Sequence, residues 1–227
     1  TMTLFAPGAA LARSARITFT AAATIFVYTI GIGILNVLDL WDPGHDTLMS
    51  HVHSGTLGSI TLGVSGIAFL MLSQDREVGA AEQGQAVVMA WALVVAVTLY
   101  AAAFLAGDHI FSDRIQRPIC GTLLFVVVIA VLVWMVKAYR AHTSRTAARL
   151  GILLAWISLL VGSVFGIVLG LYTSNGSVPG LDDETASRFA DAHPPAMVIG
   201  YLLVAAFATV EWLLHDKAEG RAGFVQM

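Results

Sequence analysis

A chain of 227 residues that is 57% hydrophobic and 12% charged, with a mean hydropathy of +0.79, is too apolar for a soluble domain, in which about 25% of residues carry charge. Its single cysteine, Cys120, excludes an internal disulfide, a four-cysteine zinc site and covalent haem attachment through Cys-x-x-Cys-His. The net charge of −3 says little alone, because in such a chain the placement of charge matters more than its sum.

Six apolar segments are long enough for a hydrocarbon core of ~30 Å, which takes about 20 helical residues. They run roughly Ile17–Leu38, Leu48–Leu72, Ala86–Leu105, Ile119–Val136, Leu150–Tyr172 and Ala196–Leu214. The expectation is an all-α integral membrane protein: one transmembrane domain over residues 1–227, built as a bundle of six helices. Connections are short except Thr173–Ala192, which reads as a loop. The first apolar run lacks the order of a cleavable signal peptide and reads as a retained span. There is no internal repeat, no glycine-rich nucleotide loop and no Ser/His/Asp pattern of known spacing.

Basic residues set the orientation. Arg13, Arg16, Arg76, Lys137, Arg140, Arg145, Arg149, Lys217 and Arg221 fall on one side of the six spans, and only Arg114, Arg117 and Arg188 on the other. Both termini are therefore expected in the cytoplasm, in a multi-pass protein of the cell inner or plasma membrane. The opposite loops are acidic, with Asp39, Asp42, Asp46, Asp108, Asp113, Asp182, Asp183, Glu184 and Asp191.

The same topology gathers five of the seven histidines on the outer side. His45, His51 and His53 stand at the start of the second span, His109 just past the third and His193 at the start of the sixth. His142 and His215 fall on the inner side and read as solvated. Asp46 is a candidate N-cap for the second helix. On that helix His51 and His53, two residues apart, point about 200° from one another, so they serve two different sides. Gly55 and Gly58 follow on the His51 face, where a flat group has room. His51 is accordingly expected as the ligand if one haem is present. Imidazole is a common ligand of haem iron, copper and zinc.

His45-Asp46-Thr47 followed by Ser50-His51-Val52-His53 and a Gly/Leu-rich span resembles one helix of the haem–copper oxidase and nitric oxide reductase superfamily, over about 25 residues. The resemblance implies that His51 faces a high-spin haem and His53 a low-spin one, and hence two haems. The chain has half as many spans as the family's catalytic subunit. It contains no His-His pair and no His-x-x-x-Tyr, so the family's copper centre has no counterpart here.

Further candidates surround these. His193 precedes Pro194 and Pro195, which suit the first turn of a helix, and Asp191 lies close enough in sequence to orient it. His193 or His109 is the expected partner across a haem. Arg114 and Arg117 suit haem propionates, because guanidinium pairs with carboxylates. Tyr172 could also reach a propionate. Met197 and Glu211 read as membrane-core methionine and interfacial acid. Ser158, Gly162, Gly166 and Gly170, one every four residues, form a close-packing face, a candidate seam for homo-oligomerisation.

The sequence thus points to a membrane b-type haem protein with one or two haem b groups near the outer face. It would serve electron transfer or O2/NO redox chemistry, as a possible oxidoreductase, with a quinol or a redox protein as partner. Nucleic acid has no place in this reading. One alternative is a haem-free protein holding copper or zinc through His51, His53, His109 and His193. The other is a transporter or accessory subunit without a cofactor.

Overall fold

The computed structural model describes residues 10–40, 44–105, 113–142, 145–175 and 180–225. Among them the chain is helical, with no β-strand. Six helices follow in order: α1 Ala12–Val37, α2 His45–Met71, α3 Ala80–Leu105, α4 Asp113–Arg140, α5 Ala147–Asn175 and α6, which runs through Asp183–Pro195, Ala196–Leu203 and Val204–Val225. Each holds a stretch long and apolar enough to cross a membrane, which makes this a multi-pass membrane protein in a lipid bilayer. Val27, Val37, Val88 and Phe207 are each more than two-thirds exposed. Large apolar side chains in that position suit lipid, which has no water to exclude them.

The order of packing follows from which helix is covered. In α2, 61% of the apolar window is buried, against 17–33% in the other five. α2 is therefore the central helix. α1 and α3 flank it, and α3, α4, α5 and α6 then pack in sequence around it. The closing contact is at the end where α2 finishes: Thr61–Met71 meets Val204–Val225 of α6. This is the basic end of the bundle; the other is the histidine end.

Two helices change their winding. α2 is α-helical over His45–His53, π-helical over Ser54–Ile60, and α-helical again over Thr61–Met71. α6 is π-helical over Ala196–Leu203, just after Pro194 and Pro195. The two prolines withdraw two backbone N–H groups from the i→i−4 ladder, and the next turn widens. π-helical turns are rare and concentrate at functional sites.

Three expectations need correction. The loop Thr173–Ala192 is mostly helix. α5 continues to Asn175, and α6 begins at Asp183, capped by the Asp182 carboxylate, which accepts the Thr185 N–H at 2.8 Å. The Thr185 hydroxyl, and then that backbone bond, hold the Asp182 carboxyl below the usual carboxylate range. The sequence hid these turns because they are polar and precede the apolar span. His193 consequently sits about three turns inside α6, and Pro194 and Pro195 end its first α-helical section rather than begin it.

Ser158, Gly162 and Gly166 of the α5 small-residue face are covered within the chain, whereas Gly170 is not. A Cβ at Gly162 would meet Met197, one at Gly166 would meet His193 at 3.1 Å, and Gly200 of α6 closes on Ser158 at 3.0 Å. Those positions let α6 approach α5; they are not a free seam for a second copy. His142, expected to be solvated, is 5% exposed. Its Nε2–H donates to the Leu72 carbonyl at the end of α2, at 3.1 Å.

A candidate haem site at the histidine end

His51 and His53 do face opposite sides of α2, as two positions 200° apart require. His51 lies over Gly33 of α1, where a Cβ would come within 3.3 Å of its ring. Its Nδ1 is buried without a hydrogen-bond partner among the described residues. The glycines that share this face carry α1 side chains: Gly55 meets Thr29, and a Cβ at Gly58 would come within 2.6 Å of Ile25. The room that the sequence offers to a porphyrin on the His51 side is filled by α1. Helix–helix contact through small residues is the ordinary use of such a face.

His53 turns toward α3. Its ring stacks on Phe104, with centroids 4.6 Å apart and planes 13° apart, and meets the edge of Tyr100 at 5.3 Å. Tyr100 in turn packs over Gly121 of α4. His53 Nδ1 lies 2.7 Å from the Met49 carbonyl oxygen. A carbonyl only accepts, so Nδ1 carries the proton and the lone pair is on Nε2.

His193 repeats this arrangement from the other side. Its Nδ1 lies 2.8 Å from the Gly162 carbonyl oxygen of α5, and the ring rests against Gly166. Its lone pair is also on Nε2. His53 and His193 are close enough to act on each other electrostatically. A histidine that ligates a metal almost always donates its other ring N–H to a carbonyl, carboxylate or water, which fixes tautomer and orientation. Both histidines meet that requirement with backbone carbonyls.

Arg117 completes the surroundings. Its guanidinium pairs with Asp46 at 2.8 Å and lies 5.0 Å from the Phe104 ring centroid, so arginine, phenylalanine and His53 form one column. Asp46 is therefore an ion-pair partner; α2 has no side-chain N-cap bond. Arg114 belongs to the first turn of α4, but its side chain lies outside the described set, and His109 lies outside the described residues. Tyr172 donates to Asp183, joining the end of α5 to the start of α6. Glu211 is exposed near the other end of α6. Among the described residues no three of His, Cys, Asp and Glu converge as a metal site. The copper or zinc alternative thus finds no set of three ligands among the described residues.

Sequence reasoning missed Phe104 and Tyr100. Aromatics four apart on an apolar helix look like ordinary core. It also missed the Gly162 carbonyl, since no side chain marks a backbone acceptor.

Fold and site together define a six-helix membrane protein with two imidazoles, from α2 and α6, that each bond a backbone carbonyl through Nδ1 at one end. No known family model matches the chain, and no curated protein or solved structure is similar to it.

Proposed function

We propose that the chain is a membrane b-type cytochrome holding one haem b between His53 and His193. The observation that carries this reading is the matched tautomer: each ring gives Nδ1–H to a backbone carbonyl and keeps Nε2 as its open donor. Imidazoles fixed in this way could hold haem iron through Nε2. Gly166 supports the fit, since it leaves room for the His193 ring. Bound haem would supply one-electron and small-gas chemistry, in electron transfer or O2/NO turnover. The protein's part is to fix both ring orientations, stack Phe104 on His53 and keep the Arg117 charge close by. A quinol or a redox protein remains the proposed electron partner. The resemblance of the His-Asp-Thr and His-x-His stretch to the haem–copper oxidase and nitric oxide reductase superfamily supports haem at this helix. The α1 contacts at Gly55 and Gly58 favour His53 over His51, and one haem over two.

The skew of basic residues supports cytoplasmic termini and insertion in the cell inner or plasma membrane, which puts the haem near the outer face. The test is a visible spectrum of the full chain purified from haem-supplied cells. A Soret band that His53→Ala and His193→Ala each remove, and that His51→Ala keeps, is the expected result. A purified protein without a Soret band ends the reading.

A further inference from the structure

The first turns of α1 and α3 come together at the basic end and frame a cleft of about 190 Å³ lined by Ala10, Arg13, Ser14, Gln83, Gly84 and Val87. Ser14 is 1% exposed, yet its Oγ has no hydrogen-bond partner among the described residues. α1 has no side-chain N-cap bond and no acid in its first turn. Among the described residues, its leading N–H groups thus have no side-chain cap of the kind helix starts usually recruit. The N-terminal ends of two 26-residue helices each contribute partial positive charge. The single acid in the first turn of α3, Glu82, is engaged by both guanidinium nitrogens of Arg76. Arg13, by contrast, is exposed on the cleft wall.

We propose that this cleft binds a phosphate-type oxyanion, held by Arg13, the Ser14 hydroxyl and the first-turn amides of α1. Helix starts combined with a basic side chain suit such anions. The shared chemistry admits two sources, a phospholipid headgroup or free phosphate. The cleft lies at a span end, where headgroups sit. The test titrates the full chain in neutral detergent by calorimetry, with short-chain phosphatidylglycerol in one arm and inorganic phosphate in the other. Arg13→Gln should weaken binding about tenfold, the loss of one charge-assisted bond, and Ser14→Ala roughly threefold. Both variants should melt as the native protein does. Loss confined to the lipid arm identifies a headgroup site, and loss in the phosphate arm a soluble-anion site. Equal binding by all three proteins, or binding by none, overturns the proposal.

Discussion

At the basic end of the bundle, several polar side chains that enter the interior bond the backbone of one turn. The Leu72 carbonyl accepts from His142 Nε2 at 3.1 Å and from Arg76 Nε at 2.7 Å. Arg149, 3% exposed, reaches the Met71 and Gln74 carbonyls at 3.4 Å each and Asp75 at 2.9 Å. Trp212 Nε1 donates to Gln74 at 2.6 Å. Asp75 holds φ at +56° within this knot. At the histidine end, His53 and His193 each engage one nitrogen and leave the other open. His142 and the paired histidines all bond a carbonyl, so the bond alone does not separate structure from function. The difference lies in the surroundings of the ring. His142 Nδ1 is buried with no partner among the described residues and with Arg149 nearby, whereas His53 stacks on Phe104 and feels the charge of His193.

The comparison breaks first, and most visibly, at the imidazoles. His53→Ala and His193→Ala should lose essentially all haem while leaving helix content unchanged. His142→Ala should keep its haem and lower the melting temperature. Haem content by pyridine haemochrome and melting by circular dichroism separate the two ends. Haem loss in His142→Ala would erase the contrast.

Arg149→Leu comes next. It removes charge-assisted bonds to two carbonyls and Asp75 from an almost fully buried position, and should cost about 2–3 kcal/mol. A reversible unfolding assay should find it the most destabilising change at the basic end, with the reduced haem spectrum unaltered. Asp75→Asn should cost less, since that carboxylate is 71% exposed and exposed ion pairs contribute about 0–1 kcal/mol.

Gly166→Ala should act at the histidine end alone. Its Cβ would stand 3.1 Å from the His193 ring, and overpacking of this kind costs about 1–3 kcal/mol. The expected readout is weaker haem retention and a shifted reduced band. Gly170→Ala, which meets nothing within 4 Å, serves as the silent control.

The smallest effect is one of pH. Burial, with help from Arg149 and Arg76, pushes the His142 imidazole below its ordinary value, against the Leu72 bond and Asp75, which favour its charged form. The unfolded chain then binds more protons as pH falls below the ordinary ~6.5. The stability tied to neutral His142 is present above that value and is lost as pH falls through the depressed folded value. Melting temperature should decline on acidification from pH 7, and His142→Gln should flatten part of that slope. An unchanged slope would mean that other groups dominate acid sensitivity.

Much of the scaffold was legible in the residues. Segments of about 20 apolar residues can only be helices in a bilayer, so the six spans follow directly. The two faces of α2 were legible too, because a separation of two residues fixes the angle between His51 and His53. Which face holds room was not: Gly55 and Gly58 mark close approach, and only the packing of α1 reveals what approaches. The start of α6 was lost because hydropathy marks where lipid begins, not where helical hydrogen bonding begins. The buried role of His142 was lost because polar neighbours in sequence do not disclose a carbonyl seventy residues away.

The π-helical turn Ser54–Ile60 makes the azimuth of His53 a matter of helical winding. Such a turn amounts to one residue inserted into an α-helix. Rewinding its seven residues as α-helix, with no change in length, would rotate everything before it by roughly 100° relative to Thr61–Met71. Thr61–Met71 is clamped by its contacts, nine of its eleven residues being buried, so the rotation would fall on the histidine half. His53 would swing off Phe104 with no change in its own chemistry. Loss of the wide turn at constant length misaims the ring, whereas loss of the turn together with one residue leaves it nearly in place.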